Sequence, residues 1–323
     1  MLPIVLQTTM RCEPLIRRWL LVACALLSAA AVHAADAPPM RAQQVAPHAW
    51  YVQGDSALGS RGNRNFISNA GFVVTPAGVV VVDALGSPAL ARELLKTIAA
   101  ITPQPVRLVV LTHYHADHVY GAQVFKDAGA TIVAHGLGRG YLGADTARLR
   151  LQTSIAEGLT EPGTRLVDAD TWLAGSASFD VGGTRFEAMQ VGPAHTVEDL
   201  AVYFPDEGVL FAGDLVFRGR VPYVGDADSR RWIESLDRLL ALPAKVIVPG
   251  HGPHSTQPRA DLQLTRDYLA YLRQAMGRAA RELTPFDEAY AATDWSRFEA
   301  LPLFRAANRM NAYNTYLLME QEK

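Results

Sequence analysis

The chain has 323 residues, 49% hydrophobic and 19% charged, with 30 Lys and Arg against 32 Asp and Glu. That apolar content excludes a disordered chain. The formal net charge of −2 argues against nucleic acid as a partner, because phosphate binding needs a basic surplus.

In chain order, Arg17 and Arg18 come first, ahead of the apolar run Trp19–Val32, which closes on Val32-His33-Ala34. A charged start, an apolar stretch and a small-residue cleavage site make a secretory signal over residues 1–34. A membrane anchor is the competing reading, but a spanning helix needs roughly 20 apolar residues and the polar segment Ala35–Gln44 follows. Leu21-Val22-Ala23-Cys24 resembles a lipoprotein box, set too close to Arg18, and Arg17-Arg18 weakly resembles a twin-arginine signal. The secretory signal implies a periplasmic or secreted protein with no membrane attachment after cleavage. The two cysteines, Cys12 and Cys24, both lie in the leader. The mature chain therefore has no disulfide and no sulfur ligand for a metal.

The mature chain alternates strand and helix signals. Short β-rich runs occupy 49–53, 66–74 and 78–83, and the continuous β-branched run Val79–Val82 reads as a strand buried on both faces. A helix is expected over 87–100, a strand over Val106–Leu111, a helix over Val119–Ala128 and a strand over Thr131–Ala134. Residues 144–160 read as helix. Four short strands follow near 165–168, 176–181, 185–191 and 200–204. Then come a strand at Val209–Ala212, a helix at 229–241, a strand at Val246–Val248, and helices at 259–281 and Pro302–Met319. This pattern predicts one layered α/β domain over 45–323 with helices outside the sheets.

Five of the nine histidines fall in one series. Thr112-His113-Tyr114-His115-Ala116-Asp117-His118 follows the strand Val106–Leu111. His195, Asp214 and His251 each follow a later predicted strand. Ligand sites collect at that edge of an open sheet, and an apolar core would leave such polar groups unpaired. Imidazole and carboxylate without thiolate suit a divalent metal. Seven ligands exceed one tetrahedral site and suffice for two metals sharing a carboxylate, a recurring hydrolytic device.

The His-x-His-x-Asp-His motif resembles the metallo-β-lactamase-fold hydrolase superfamily over nearly the whole mature chain. The resemblance implies an α/β fold, a four-layer αββα sandwich with two divalent metal ions at one edge between the sheets. It assigns His113, His115 and His195 to the first metal, Asp117, His118 and His251 to the second, and Asp214 to the bridge. Asp83 resembles the buried aspartate that supports the motif loop; a turn residue at a strand end is the alternative. His254 lies near enough to His251 to support it. His48 and His135 read as surface or hydrogen-bonded residues, and Tyr120 as a buried structural one.

Some lactamase classes place cysteine where this chain has Asp214, and another lacks a bridging aspartate there. The chain is thus more similar to glyoxalase II, lactonase and general hydrolase branches. Flavodiiron relatives carry Glu where this chain has His115. The segment Asp214–Tyr223 and Asn311-Ala312-Tyr313 are similar to a periplasmic subgroup described as quinoprotein-relay or sulfur-oxidation-associated. The loop Gly54–Asn69, with Arg61 and Arg64, either borders the site or is a plain solvated loop. Arg218 and Arg220 are either surface residues or a fork for an anionic substrate, with Tyr223 close by.

The resemblance implies metal-assisted hydrolysis of a small-molecule ester, thioester or lactone. Two metals lower the pKa of a shared water, and the hydroxide attacks a carbonyl. Asp117 orients it and serves as the catalytic proton carrier. The ligands suit zinc, iron and manganese alike; zinc is the expectation. The competing readings are β-lactam hydrolysis, iron-dependent persulfide oxygenation, and a non-catalytic metal-binding partner of a periplasmic redox system.

Overall fold

In the computed structural model, which describes residues 40–225 and 227–322, the chain builds two β-sheets. The leader expected over 1–34 lies outside the described residues. The first sheet holds β1 (Ala42–Ala46), β2 (Ala49–Val52), β3 (Ala70–Thr75), β4 (Gly78–Val82), β5 (Val106–Val110), β6 (Thr131–His135) and β7 (Thr171–Leu173), in that order. The second runs β12-β11-β10-β9-β8, from β8 (Ala177–Val181), β9 (Thr184–Gln190), β10 (Leu200–Phe204), β11 (Val209–Phe217) and β12 (Val246–His251).

Strands β4 to β7 are parallel, as are β11 and β12, and parallel neighbours require crossovers. These carry α1 (Pro88–Ala99), α2 (Ala116–Val119), α3 (Ala122–Asp127), α4 (Arg139–Leu142), α5 (Asp145–Ala156) and α6 (Ser229–Leu240). Helices α7 (Pro258–Glu282), α8 (Phe286–Ala292) and α9 (Phe304–Gln321) complete the chain. Among the described residues no helix is long and apolar enough to cross a membrane.

The valine run of β4 shows why the layers form. Successive strand side chains face opposite ways. Val80 and Val82 enter the layer between the sheets, with Val73 and Val110 facing Phe186, Leu200, Val202 and Phe211. Val79 and Val81 face outward and meet Leu90, Leu94 and Ile98 of α1. Ser87 caps that helix by accepting from Leu90 N, and Pro88 stands in its first turn. On the far side, Trp232, Leu236 and Leu239 of α6 and Leu269 and Met276 of α7 cover Leu210, Ala212 and Ile247. Burying each such side chain contributes about 1.5–3 kcal/mol. The result is the expected αββα sandwich.

Several local expectations need correction. Residues 165–168 form no strand. Asp170 binds Ile132 through its backbone N (2.8 Å) and its Oδ2 (2.8 Å), which aligns Thr171–Leu173 on β6 as an edge of the first sheet. Residues 119–128 split into α2 and α3. Gly121 packs so tightly there that a Cβ would lie 1.9 Å from the Ala84 carbonyl oxygen. Strands β11 and β12 run on to Phe217 and His251, so Asp214 and His251 stand within strands and not after them. The half-exposed β1 and the short α4 and α8 had no sequence signal strong enough to place them.

Candidate metal centre

Asp83 follows β4 directly, and its φ of 65° turns its carboxylate back under the loop after β5. Its Oδ1 accepts from Thr112 N (2.8 Å), and its Oδ2 accepts from Thr112 Oγ1 (2.9 Å) and His118 Nδ1 (2.9 Å). Asp83 therefore ties both ends of the histidine motif to the sheet. Because Thr112 donates to Asp83, its oxygen accepts from His113 Nδ1 at 3.0 Å. His195 Nδ1 donates to the Tyr223 carbonyl (3.0 Å) and His251 Nδ1 to the Ile67 carbonyl (2.7 Å). In each neutral imidazole the proton sits on the outward nitrogen, so the Nε2 lone pair faces inward.

The inward atoms form two groups. In the first, His115 Nδ1 lies 3.1 Å from His113 Nε2 and 2.9 Å from His195 Nε2. In the second, Asp117 Oδ2 lies 3.5 Å from His118 Nε2 and 3.4 Å from His251 Nε2. Asp214 spans both. Its Oδ2 is 3.4 Å from His195 Nε2, 3.3 Å from His251 Nε2 and 3.8 Å from His113 Nε2, while its Oδ1 is 3.2 Å from His118 Nε2. All seven sequence-predicted ligands thus meet at one place. The packing is built for it: a Cβ on Gly250 would lie 2.0 Å from Asp214 Oδ1, and one on Gly213 would lie 2.8 Å from Thr112 Oγ1.

These donors fit a cation. Three lone pairs about 3 Å apart repel unless something positive lies among them, and tetrahedral zinc with Zn–N near 2.0–2.1 Å spaces its nitrogens by about 3.3 Å. His118 Nε2 and Asp214 Oδ1 are buried with no aligned hydrogen-bond partner. Burial, aided by the charge of His118, holds His113 and His115 well below the usual histidine range, and burial lowers His195. Burial also opposes charge on His118, but Asp214, Asp117 and Asp83 outweigh it and hold that imidazole well above its usual range. Burial disfavours the Asp214 carboxylate too, yet His251 and His118 outweigh it and keep its pKa well below the usual carboxylate range.

These shifts set the signs of a pH effect on the metal-free protein. His113, His115 and His195 hold protons less well folded than unfolded. Their contribution is present above about pH 6.5 and is lost as pH falls from there toward their folded values. His118 holds its proton better folded. Its contribution is full below about pH 6.5 and is lost as pH rises through its folded value. Burial also raises Glu198 to about 7 and Asp199 well above the usual carboxylate range, so their contributions too are lost as pH rises. Stability of the chelator-treated protein is expected to peak near pH 6.5, changing by about 1.4 kcal/mol per pH unit for each net proton exchanged. Urea titrations near pH 5, 6.5 and 8 check this; a steady rise across that range contradicts the His118 assignment.

The surroundings sort the remaining candidates. The loop Gly54–Asn69 borders the centre through Ile67, through Ser68 Oγ, which donates to the Asp117 carbonyl (2.5 Å), and through Asn69 Nδ2, which donates to the Pro249 and Gly252 carbonyls (2.8 Å each). Its arginines turn away: Arg64 pairs with Glu93, and Arg61 donates to the Glu157 carbonyl. Arg218 and Arg220 make no fork. Arg218 Nε pairs with Asp261 Oδ1 on α7 at 2.9 Å. Arg220 is buried, with its guanidinium 5.7 Å from the Phe217 ring centre and Nη1 3.5 Å from His251 Nδ1.

The half-exposed Tyr223 ring centre lies 6.4 Å from that of His115 and 6.1 Å from that of His195. Tyr114 stacks on Tyr141 at 3.9 Å, beside His115. Tyr120 is buried, as expected. His254 binds the Tyr51 hydroxyl through its backbone N (3.1 Å) and its Nδ1 (3.2 Å). His48 pairs with Glu207 at the surface. His135 departs from expectation: it is buried and its Nε2 has no partner. Sequence reasoning missed Thr112, signalled only by its place before His113, and the Ile67 and Tyr223 carbonyls, which carry no side-chain signal.

Residues 63–251 match the family model described as the metallo-beta-lactamase superfamily. The chain is 34% identical over 177 residues to the 2,4-dinitroanisole O-demethylase subunit alpha of Nocardioides sp. (strain JS1661), covering 54% of this chain and 49% of that protein. It is 25% identical over 252 residues to the linear primary-alkylsulfatase of Pseudomonas sp. (strain ATCC 19151), covering 66% and 48%. The chain thus spans about half the length of these curated relatives. The solved metallo-beta-lactamase from Pontibacter korlensis superposes with a TM-score of 0.57 at 26% identity, over 72% of this chain and 99% of that one. By motif, fold and family match, the chain belongs to the metallo-beta-lactamase superfamily.

Proposed function

We propose that the protein is an exported, dinuclear, zinc-dependent hydrolase of a carboxylic ester, thioester or lactone. The observation that carries this is Asp214, which stands between two ligand groups free of sulfur. His113, His115 and His195 would hold one ion, Asp117, His118 and His251 the other, and Asp214 both. When bound, such ions supply Lewis acidity and a water of lowered pKa, about 7 in single-zinc examples.

The chain's own residues do the rest. Burial keeps His113, His115 and His195 neutral, so no proton competes for their lone pairs near neutral pH. Asp117 has a side chain 18% exposed against 4% for Asp214. It is the carboxylate that can reach a reacting water, take its proton at the carboxylate and deliver it to the leaving group. Tyr223 and the Tyr114–Tyr141 stack wall the approach to His115 with aromatic surface.

That aromatic wall and the 34% identity to the demethylase subunit support a second reading, cleavage of an activated aryl ether; the alkylsulfatase relative adds sulfate esters to the candidates. The test compares kcat/KM for a lactone, a thioester, an aryl ester, a nitroaryl methyl ether, an alkyl sulfate and a β-lactam on one zinc-loaded preparation. The carboxyl substrates are expected to lead. A β-lactam or an ether preferred by more than about 100-fold, near 2.7 kcal/mol of transition-state discrimination, reverses the ranking. No turnover at full metal content favours a binding module.

Export has its own test. N-terminal sequencing of protein recovered from the periplasm is expected to start at Ala35 or Asp36. Intact Met1 on that protein rejects cleavage.

A further inference from the structure

Behind the His113–His115 loop lies a cavity of about 10 Å³, lined among others by His113, Tyr114, Ala134, His135, Trp172 and Glu198. Two buried polar atoms on its lining residues lack partners: Glu198 Oε2 and His135 Nε2. Their chemistry is complementary. His135 Nδ1 accepts from Leu137 N at 3.4 Å, so the neutral ring carries its proton on Nε2. Glu198 Oε2 is an acceptor in the carboxylate form. A donor and an acceptor, both buried and unpaired, on residues that line a space about the size of one water are the usual setting of a structural water, which satisfies buried groups that would otherwise cost about 1–3 kcal/mol each.

Glu198 is also wired to the metal centre from two sides. Its Oε1 accepts from Tyr114 N at 2.9 Å, the peptide between His113 and His115. It stands three residues after His195, in the segment whose Leu200 N donates to the Thr112 carbonyl at 2.9 Å. Gly138 makes room for it: a Cβ there would lie 3.2 Å from Glu198 Cγ.

We propose that one buried water joins Glu198 Oε2 to His135 Nε2, and that Glu198, held by it, is a positioning residue that sets the spacing of His113, His115 and His195. The physical role follows from the connections. Glu198 holds the main chain between two ligands, and the water anchors Glu198 to the end of β6. Partners of this kind behind metal ligands typically tune affinity by about 10–100-fold. This role rests on the reading that the first group binds a metal; the water link does not.

Two measurements test it. A crystal structure fine enough to show ordered water is expected to place one within hydrogen-bond distance of both atoms. A dry cavity, or a direct Glu198–His135 contact, overturns the link. Zinc affinity is then measured by chelator competition for wild type, Glu198→Ala, Glu198→Gln, His135→Phe and the Glu198→Ala/His135→Phe double variant, alongside melting of the metal-free proteins. Glu198→Ala, which removes the acceptor for Tyr114 N, is expected to weaken zinc about tenfold or more, beyond what its metal-free melting accounts for, and Glu198→Gln, which keeps an acceptor oxygen, is expected to restore most of it. His135→Phe, which fills the cavity, weakens it less, and the double variant is no worse than Glu198→Ala, because one water serves both side chains. Fully additive losses, or affinity that falls only in step with metal-free stability, reject the positioning role. Wild type that binds no zinc rejects the proposed function, and with it the positioning role, while the crystal still decides the water.

Discussion

Replacing Asp214 with alanine is expected to lower bound metal below two ions per chain and to reduce kcat/KM by well beyond tenfold, more than about 1.4 kcal/mol of barrier. Among the described residues Asp214 is the side chain that faces both ligand groups, at 3.2 Å from His118 Nε2 and 3.3–3.4 Å from His251 and His195 Nε2. Alanine removes this carboxylate and leaves Asp117 Oδ2, 3.5 Å from His118 Nε2 and 3.4 Å from His251 Nε2, as the carboxylate beside the second group alone. In the metal-free protein it also strips the buried, protonated His118 of a main counter-charge, and breaking such a buried pair costs about 3–5 kcal/mol. Asp214→Asn separates the two effects by keeping the shape and losing the charge. Elemental analysis with kinetics on the same preparations checks the result. A wild type fully active with one metal per chain removes the bridge.

The second large effect is expected at Asp83. Its carboxylate accepts three hydrogen bonds, from Thr112 N, Thr112 Oγ1 and His118 Nδ1, and it is 3% exposed. Asp83→Ala leaves those buried donors unmatched, at about 1–3 kcal/mol each when nothing replaces the acceptor. The expected loss is about 3–5 kcal/mol of stability, with weaker metal binding through a displaced His118. Asp83→Asn tolerates the positive φ but turns one acceptor into a donor, so it is expected to fall between wild type and alanine. Urea denaturation in chelator, followed by zinc titration, measures both. A change under about 1 kcal/mol for alanine would falsify the anchoring role.

The layer architecture was legible because it rests on local patterning. The β4 valines alternate between two cores, and α6 presents Trp232, Leu236 and Leu239 on one face, so the residues themselves state which surface is buried. The histidine motif was legible because its polar groups have no place in a core. What misled was equally local. Residues 165–168 look β-rich, but Asp170 decides where pairing begins, through bonds to Ile132, 38 residues away. Arg218 and Arg220 read either as surface residues or as a fork; Arg218 is drawn to Asp261, 43 residues on, and Arg220 is buried beside His251.

By itself, the sequence determined the donor set, the lack of cysteine after Cys24, and the alternation that makes two sheets with helices outside. These are properties of residue type and near-neighbour spacing. Only the tertiary structure decided which nitrogen each histidine presents, because the opposite nitrogen is held by groups such as the Ile67 carbonyl, 184 residues from His251, and the Tyr223 carbonyl, 28 residues from His195. It also decided how Asp214, the bridge that the resemblance implies, comes to stand across both groups, by bulging β11 at Gly213 and leaving space at Gly250. Backbone carbonyls and close approaches have no side-chain signature. They exist only once distant strands are in register, and register follows from the packing of the whole sandwich.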